Sequence, residues 1–490
     1  MSTIPFIFKI DMYKTGHHKQ YLPGTTEVVS NLTSRGSRIQ GINNIVWFGS
    51  TNFIRELDAA YQDLHWEDID TYENLVRTSL NDPSYSADHI RDLYSLGHLP
   101  LEIRALPEGT VVPMRVPALT IRNTHPDFAW LPNFLETQLS AEIWHSSTAA
   151  TIARAYRETF DRYAKITGSP AEFCDWQGHD FSARGMCGIQ AGALSGLGHL
   201  LSFTGTDTVA SVYLASGCYH NCGFIGGSVP ATEHSVMTAA GKEGEKEVLE
   251  HLLRTYPEGI VSVVSDSYDF WGFVEMLGTT YKDRIKARNG KLVIRPDSGD
   301  PVKILIGDPS SSDIRESMGL IELLWHYFGG TTSSTGHKIL DSHVGAIYGD
   351  SITLDRQKAI LNGLYSKGFA SCNVVLGIGS YTYQYVTRDT FGFAMKATYM
   401  ERDGKSYNIF KEPKTDNGTK FSCRGLPFVT RYKYKDAEGL LTLEDQVSKD
   451  KFESPDNLLE VVYKDGQFSD AGTDIFDFSA IRLRLKNQPS

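Results

Sequence analysis

Residues 291–300 place several groups that bind charged ligands directly after a short apolar segment. Residues 292–294 are aliphatic and favour a strand, which Pro296 ends because proline has no N–H to donate to a neighbouring strand. Arg295 closes the strand, and Asp297 follows it in a turn with serine and glycine. A cation, carboxylates and a glycine turn at one strand end are suited to binding an anion and a ring. The segment therefore predicts part of a ligand site.

Three further apolar segments end in the same way, in an acid or a glycine. They are residues 261–265, followed by Asp266; 344–348, followed by Gly349 and Asp350; and 373–376, followed by Gly377, Gly379 and Ser380. Helix-length segments separate these strands, which is typical of a parallel sheet and of a TIM-like (β/α) barrel. Because the active site of such a barrel lies at the carboxyl ends of its strands, these residues are predicted to lie together.

Two more polar groups follow turns. Asp207 lies in a turn predicted at residues 203–208, and Glu233 and His234 fall early in a helix that Pro230 could begin. At a helix start the dipole disfavours a protonated histidine and favours an anion attached to it.

Each of these residues also has a purely structural alternative. Arg295 could serve only an ion pair with Asp297 or Asp266, Asp207 could cap a helix that begins at Thr208, and His234 could lie on a helix surface. The joint placement of cations, carboxylates and glycine turns at several strand ends favours a phosphosugar or nucleotide site. Such a site needs backbone donors for a phosphate, cations for a second anion, and carboxylates for a metal or for ribose hydroxyls.

The bulk composition describes an enzyme-sized globular protein. A length of 490 residues predicts two domains, and a net charge of −11 argues against broad nucleic-acid binding. No apolar run reaches membrane-spanning length and no signal peptide is visible, so a cytoplasmic protein is expected. Six cysteines do not indicate a disulfide scaffold, and the Cys218, His220 and Cys222 spacing is not a recognised zinc pattern.

The pattern of predicted helices and strands changes twice along the chain. The expected fold is α/β, with a TIM-like (β/α) barrel and a second α+β domain whose antiparallel sheet comes from the N- and C-terminal segments. The predicted ranges are 1–145 for the N-terminal α+β segment, 146–393 for the catalytic barrel, and 394–490 for a C-terminal antiparallel β segment that packs with the N-terminal one.

Two local patterns carry this division. Residues 151–166 have apolar side chains at helical spacing and predict an amphipathic helix. Hairpin turns are predicted from three dipeptides near the C-terminus, Asp403-Gly404, Glu438-Gly439 and Asp465-Gly466.

Longer motifs run through most of the chain. They are residues 11–17 (DMYKTGH), 19–21 (KQY), 179–185 (HDFSARG), 205–210 (GTDTVA), 228–235 (SVPATEHS), 262–269 (SVVSDSYD), 294–299 (IRPDSG), 349–350 (GD), 387–389 (TRD) and 410–413 (FKEP). In these motifs the chain closely resembles the type II phosphoribosyltransferases, and among them the nicotinamide phosphoribosyltransferase family.

The resemblance implies an activity. Family members transfer a phosphoribosyl group from 5-phosphoribosyl 1-pyrophosphate to nicotinamide, giving nicotinamide mononucleotide and pyrophosphate in NAD salvage. It also implies Mg²⁺ as cofactor, ATP as co-substrate hydrolysed through a phosphohistidine, and a homodimer with shared active sites. No nucleic acid and no membrane are implied as partners.

The resemblance further assigns roles to residues, while the ligands of Mg²⁺ stay unassigned. Nicotinamide would lie between Phe181 and Tyr13 of the partner copy, and the other residues of its site would be Asp11, Arg184, Asp207, Ser262 and Arg295. Ribose and its 5′-phosphate would be bound by Gly349, Asp350, Gly379 and Ser380. Pyrophosphate would be bound by Arg35, Arg388, Lys396 and Lys411. His234 would carry the phosphoryl group, supported by Glu233, Asp266 and Asp297.

The chemistry agrees with these roles. The pyridine nitrogen attacks with a lone pair, so no general base is needed, and the departing pyrophosphate needs cations. A carboxylate at Asp207 accepts from an amide but repels the carboxylate of nicotinate. Two alternatives stay open: a nicotinate phosphoribosyltransferase, and a ligand-binding relative without turnover.

Overall fold

A computed structural model describes residues 4–349, 351–411, 423–434, 437–469 and 476–488. The chain divides into two units. The first contains the residues up to Thr151, Leu214–Gly223 and the residues from Val386, and the second contains Ile152–Tyr213 and Phe224–Tyr385.

The strands, numbered in chain order, are β1 Thr25–Ser34, β2 Asn44–Val46, β3 Leu101–Ala105, β4 Val111–Pro113, β5 Pro117–Asn123, β6 Gly178–Asp180, β7 Gly205–Thr206, β8 Glu258–Val264, β9 Asn289–Arg295, β10 Gly330–Thr332, β11 Lys338–Leu340, β12 Val344–Tyr348, β13 Val374–Ile378, β14 Phe393–Arg402, β15 Lys405–Asn408, β16 Leu426–Tyr434, β17 Ala437–Val447, β18 Glu460–Lys464 and β19 Gln467–Phe468.

The helices are α1 His17–Gln20, α2 Ser50–Gln62, α3 Trp66–Leu80, α4 Asp88–Leu96, α5 Leu131–Phe134, α6 Glu136–Thr167, α7 Cys174–Gln177, α8 Ile189–His199, α9 Val209–Cys218, α10 His234–Met237, α11 Glu245–Thr255, α12 Phe270–Thr279, α13 Lys282–Lys286, α14 Pro301–Ile306, α15 Ile314–Met318, α16 Leu320–Phe328, α17 Leu354–Ser366, α18 Ser380–Tyr383, α19 Lys449–Phe452 and α20 Phe478–Lys486.

The first unit contains a seven-stranded sheet in the order β15-β14-β1-β5-β3-β18-β19. Its pairs are antiparallel, and β14, from late in the chain, pairs along nearly the whole of β1. The buried side chains of this unit include large aromatic residues such as Trp47, Phe48, Phe53 and Phe134.

The second unit contains a six-stranded sheet in the order β7-β6-β13-β12-β9-β8, and all of its pairs are parallel. Its strands are rich in buried valine, leucine and isoleucine, as expected for a parallel sheet that is covered on both faces. The predicted mixed α/β fold with a parallel sheet is therefore confirmed.

One segment without regular structure touches both edges of this sheet. Gly227 forms a parallel bridge with Gly205 of β7, and Ala231 forms one with Ser262 of β8. Backbone hydrogen bonds join Thr232 and Pro230 to Ser262 on the same side. Residues 227–232 thus lie between the first and last strands of the sheet order.

The structure tests the predicted helix at 151–166 and the three predicted hairpin turns. The helix expected at 151–166 forms the second half of α6, which is longer than predicted. The first half of α6 is rich in serine and alanine, so the spacing of apolar residues does not reveal it. Asp403-Gly404 and Asp465-Gly466 form the expected hairpin turns, with positive φ at all four residues.

The turn expected at Glu438-Gly439 is wrong, because both residues belong to β17. A Cβ on Gly439 would lie 1.8 Å from the carbonyl oxygen of Tyr432 on β16. The glycine therefore serves a close approach of two strands beside an irregularity in their register.

In the described part of the chain, no helix combines the length and the apolar character needed to cross a membrane.

Candidate active site

The carboxyl ends of the parallel strands bring the predicted polar residues to one edge of the second unit. The register aligns Ile378 with Asp180, Leu376 with Tyr348, and Val264 with Arg295. The residues that follow these strands therefore become neighbours, although they are far apart in the sequence.

Phe181 leaves β6 and lies over two glycines. A Cβ on Gly377 would come within 2.7 Å of the Phe181 ring and 2.8 Å of the Cα atom of Gly349. A Cβ on Gly349 would come within 2.7 Å of Asp297 Oδ1. Because only glycine fits at these two positions, the aromatic ring, the turn after β12 and the carboxylate after β9 pack against one another.

Asp207 follows β7 and is held by a histidine that was not assigned a role from the sequence. The Nε2 atom of His179 lies 3.0 Å from Asp207 Oδ1. Partial burial favours the neutral acid, but hydrogen bonds from His179 and Ser228 and the charge of Arg295 outweigh it and lower the pKa of Asp207. Asp207 is thus an anion at neutral pH, and its side chain is hydrogen-bonded to His179 and Ser228.

Arg295 and Ser262 each have a buried polar atom without a hydrogen-bond partner among the described residues. Arg295 donates from Nη2 to the carbonyl oxygen of Thr232 at 2.7 Å, and its Nε lies 3.7 Å from Asp297 Oδ1. Its Nε atom and Ser262 Oγ are buried and form no hydrogen bond with any residue that the structure describes. Buried polar atoms normally have a partner, so these two are candidate ligand-binding atoms.

His234 stands beside a firmly held carboxylate. Asp266 Oδ2 accepts hydrogen bonds from the backbone N–H groups of Asp297 and Ser298 at 2.9 and 2.7 Å, and from the Ser298 hydroxyl at 2.5 Å. His234 Nε2 lies 3.7 Å from Asp266 Oδ1, and its Nδ1 lies 3.2 Å from Ser267 Oγ. The imidazole is half exposed, and the carboxylate of Asp266 beside it is almost fully buried.

The predicted position of His234 early in a helix is confirmed, although the helix begins later than Pro230. α10 starts at His234 itself, and Glu233 is the residue before its first turn. The Ser235 hydroxyl donates to the Glu233 carboxylate. Pro230 instead lies in the segment that bridges to β8, where its carbonyl accepts from Ser262 N.

Gly379 and Ser380 follow β13 at the same edge. A Cβ on Gly185 would collide with Ser380 Oγ at 2.0 Å, so the turn of the HDFSARG motif packs directly on the start of α18. Arg184 is exposed on that turn. Asp350 lies outside the described residues.

The remaining predicted site residues belong to the first unit. Tyr13 is 62% exposed, and Asp11 Oδ2 accepts from the Thr137 hydroxyl at 2.7 Å. Lys411 is exposed, and Lys396 lies 3.5 Å from Glu136.

Arg35 and Arg388 come from distant parts of the sequence but lie on neighbouring segments. The Arg35 backbone N–H donates to the carbonyl oxygen of Phe391 at 3.1 Å, and its Nε donates to that of Gly392 at 3.2 Å. Arg388, half exposed, lies three residues before Phe391 at the start of a short 3₁₀ helix. The two arginines thus lie on neighbouring segments, and Arg388 Nη2 is 3.5 Å from Asp389 Oδ1.

A buried polar network beneath Phe181 was missed by the sequence reasoning. Asp180 Oδ1 accepts from Ser182 Oγ at 2.6 Å, and its Oδ2 accepts from Thr208 Oγ1 at 2.7 Å. His199 bridges the Tyr383 hydroxyl and the carbonyl oxygen of Gly205, and burial lowers its pKa to about 4 in spite of the opposing Asp180 charge. The available signal was Asp180 itself, a carboxylate in an otherwise buried strand end.

No cluster of three or more His, Cys, Asp or Glu side chains suited to a metal ion occurs among the described residues. Asp266 Oδ1 is nonetheless buried without a hydrogen-bond partner there, and Asp297 lies close by through its backbone. Mg²⁺ is commonly held by one or two carboxylates together with substrate phosphates, and the bare Oδ1 of Asp266 has the donor chemistry that such a site uses.

An α/β protein whose polar side chains meet at the carboxyl ends of parallel strands has the arrangement of an α/β enzyme. The model of the nicotinate phosphoribosyltransferase (NAPRTase) family matches residues 176–465. The chain belongs to this family.

Curated relatives agree with this membership. A nicotinamide phosphoribosyltransferase of Acinetobacter baylyi is 46% identical over 98% of this chain and 96% of its own length. Proteins of the same name from Xanthomonas campestris pv. campestris and Mycoplasma pneumoniae are 35% and 34% identical, over 94% and 83% of this chain and 94% and 92% of their own lengths. The resemblance found in the sequence motifs is thus confirmed.

Solved structures share the fold at low sequence identity. A nicotinate-nucleotide pyrophosphorylase from Pyrococcus furiosus matches with a TM-score of 0.57 at 15% identity, over 99% of this chain and 95% of its own. Human nicotinic acid phosphoribosyltransferase matches with a TM-score of 0.55 at 16% identity, over 97% of this chain and 93% of its own.

Proposed function

We propose that this protein transfers a phosphoribosyl group from 5-phosphoribosyl 1-pyrophosphate to nicotinamide, giving nicotinamide mononucleotide and pyrophosphate in NAD salvage. The observation that carries the proposal is the hydrogen bond between His179 Nε2 and Asp207 Oδ1, in the unit where Phe181 and Arg295 also lie at strand ends. Curated relatives with high coverage bear the name of this activity, which supports it.

The proposed scaffold is a TIM-like (β/α) barrel. The bridges of residues 227–232 to both edge strands support a closed sheet, since closure removes the two free edges. The domain ranges proposed from the sequence, 1–145, 146–393 and 394–490, belong to the same proposal.

The pyridine ring of nicotinamide is proposed to stack on Phe181, because flat aromatic faces bind one another well. Its carboxamide NH₂ donates to Asp207, with Ser262 Oγ and Arg295 Nε as further partners. These two buried atoms have no partner among the described residues, which supports the assignment. Arg184 is proposed to line the same site, and Asp11 and Tyr13 to reach it from a second copy of the chain in a homodimer.

Bond breaking at the anomeric carbon leaves positive charge on the sugar and sends negative charge to the pyrophosphate. Asp297 is the carboxylate proposed to lie near the sugar, while Gly349, Asp350, Gly379 and Ser380 hold the ribose and its 5′-phosphate. The cations proposed for the pyrophosphate are Arg35, Arg388, Lys396 and Lys411. Mg²⁺, held by Asp266 and Asp297, would neutralise charge on the phosphates.

His234 is proposed to accept the γ-phosphoryl group of ATP. Its exposed imidazole, with Asp266 and Ser267 beside the two ring nitrogens, supports this role, and Glu233 and Asp297 are proposed as the other supporting carboxylates. Phosphorylation would then couple ATP hydrolysis to transfer.

The test is to incubate the purified protein with nicotinamide, 5-phosphoribosyl 1-pyrophosphate and Mg²⁺ and to measure the mononucleotide by chromatography. We expect product from nicotinamide, and Asp207→Asn should reduce kcat/KM for nicotinamide at least about ten-fold while affecting nicotinate much less, because it removes a charged acceptor. Equal losses with both pyridines would contradict the assigned role of Asp207. Product from nicotinate alone would favour the nicotinate alternative, and no product from either would favour a relative without turnover.

A further inference from the structure

His179 is a buried histidine with one strong polar contact at the candidate site. It lies in the middle of β6 and is 8% exposed. Its Nε2 atom is 3.0 Å from Asp207 Oδ1. An ionised carboxylate can only accept hydrogen bonds, so the imidazole must carry a proton on Nε2 and donate it.

Gly205 makes this contact possible. It is the register partner of His179 on the neighbouring strand β7, and a Cβ at this position would lie 2.8 Å from His179 Nδ1. Any larger residue would push the ring away from β7. The absence of a side chain at 205 therefore lets the imidazole lie across the strand and reach Asp207, two residues further on.

The backbone of Asp207 is fixed independently of its side chain. Its N–H donates to the carbonyl oxygen of Asp180 at 3.0 Å, which ties it to the end of β6. What remains to be set is the side-chain rotamer. The His179 hydrogen bond engages Oδ1, and a second side-chain hydrogen bond comes from Ser228. The carboxylate then keeps acceptor capacity for an incoming donor, since each carboxylate has about four lone-pair sites.

We propose that His179 is a positioning residue for pyridine selectivity: its Nε2–H holds the Asp207 carboxylate in the orientation that accepts a carboxamide NH₂ and repels a carboxylate. This inference rests on the proposed function of the same site. The discrimination between nicotinamide and nicotinate is thereby assigned to the pair of His179 and Asp207, and not to Asp207 alone.

His179 also packs on the ring proposed to stack on the substrate, and this offers a competing explanation for any loss of activity. Its ring centroid is 4.5 Å from that of Phe181. Losing this packing would affect two flat pyridines of the same size to a similar degree. Losing the orientation of Asp207 would weaken the use of nicotinamide and relieve the repulsion of nicotinate, so the two substrates would not change alike. The ratio of the two kcat/KM values therefore separates the two roles.

The experiment compares three substitutions in the full-length protein. His179→Gln keeps an N–H donor near the position of Nε2, His179→Asn keeps a donor that is too short to reach Asp207, and His179→Leu has no donor. The measured quantity is the ratio of kcat/KM for nicotinamide to kcat/KM for nicotinate, with thermal unfolding recorded for each variant.

We expect the ratio to fall about ten-fold or more in His179→Leu and His179→Asn, as for the loss of a hydrogen bond to a charged group, and to be largely restored in His179→Gln. Gly205→Ala should lower the ratio in the same direction with the histidine retained, because the new methyl group displaces the ring.

A folded His179→Leu with an unchanged ratio of kcat/KM values would overturn the positioning role. Equal losses for the two pyridines would give this result. If His179→Leu does not fold, the comparison of the Gln and Asn variants decides, since equal ratios in those two would overturn it as well. A wild-type protein that makes no nicotinamide mononucleotide would instead overturn the proposed function itself.

Discussion

Two carboxylates at this site, those of Asp266 and Asp207, are each held in place by neighbouring groups. Asp266 has three donors on Oδ2, while its Oδ1 has no hydrogen-bond partner among the described residues and lies 3.7 Å from Nε2 of the half-exposed His234. Asp207 has His179 on one side and the charge of Arg295 near it. In both pairs an acid is fixed by neighbours, so its charge is available to a ligand without reorganisation.

His234 gives the first prediction at this scale. His234→Ala should abolish ATP hydrolysis and leave slow phosphoribosyl transfer at high substrate concentration, because the phosphoryl acceptor is lost while the pyridine and ribose groups stay in place. Phosphate release from ATP and mononucleotide formation are measured side by side. His251→Ala, an exposed histidine on α11, is the matched control and should keep both rates. Undiminished ATP hydrolysis in His234→Ala would refute the phosphohistidine.

At the scale of elements, strand ends position the site because two glycines allow close packing. Gly377 near the end of β13 and Gly349 after β12 leave room for the Phe181 ring. The ring is therefore held by β13 and by the turn that follows β12. This makes its position depend on residues that carry no functional group.

Gly377→Ala is predicted to damage the site through this packing. The added methyl group would meet the Phe181 ring at 2.7 Å and the Gly349 Cα at 2.8 Å, so one of them must move. We expect a destabilisation of about 1–3 kcal/mol, typical of overpacking, together with a raised KM for nicotinamide. Chemical denaturation and steady-state kinetics measure both.

Gly345→Ala on the neighbouring strand β12 is the control for that prediction. Its methyl group would meet only the flexible Lys291 chain at 3.2 Å and Val293 at 3.7 Å among its nearest neighbours. It should therefore be close to wild type in both measurements. Equal behaviour of the two alanine variants would show that contact with Phe181 does not matter.

At the scale of the whole molecule, the proposed homodimer has a consequence that can be measured by mixing. If Tyr13 of one copy completes the site that Phe181 of the other copy begins, Tyr13→Ala and Phe181→Ala are each inactive as homodimers. Co-expressed with different tags, they should form heterodimers with one intact site.

The expected activity of the mixed population is about one quarter of wild type, since about half of the dimers are heterodimers and each has one working site of two. Transfer activity of the unfractionated mixture measures it, and heterodimers isolated by tandem affinity purification should reach about one half of wild type. A mixture with no more activity than either parent would argue against a site shared between copies.

The sequence by itself determined the ends of the strands, the glycine turns and the family. Residues 292–299 follow each other along the chain, so proline, aspartate and glycine specify that strand end locally. The motifs likewise predicted the Phe181, Asp207 and Arg295 set without any structure. The turn misassigned at Glu438-Gly439 shows the limit of this local reasoning, because a glycine also serves a close strand contact.

Only the tertiary structure decided which residues face each other across strands. The pairing of His179 with Gly205, the contact of Gly377 with Phe181, and the alignment of β1 with β14 depend on register between segments far apart in the chain. Register is set by packing of whole faces, and no short pattern encodes it. For this reason the acid at position 207 was found from the sequence, whereas the histidine that orients it was found only in the fold.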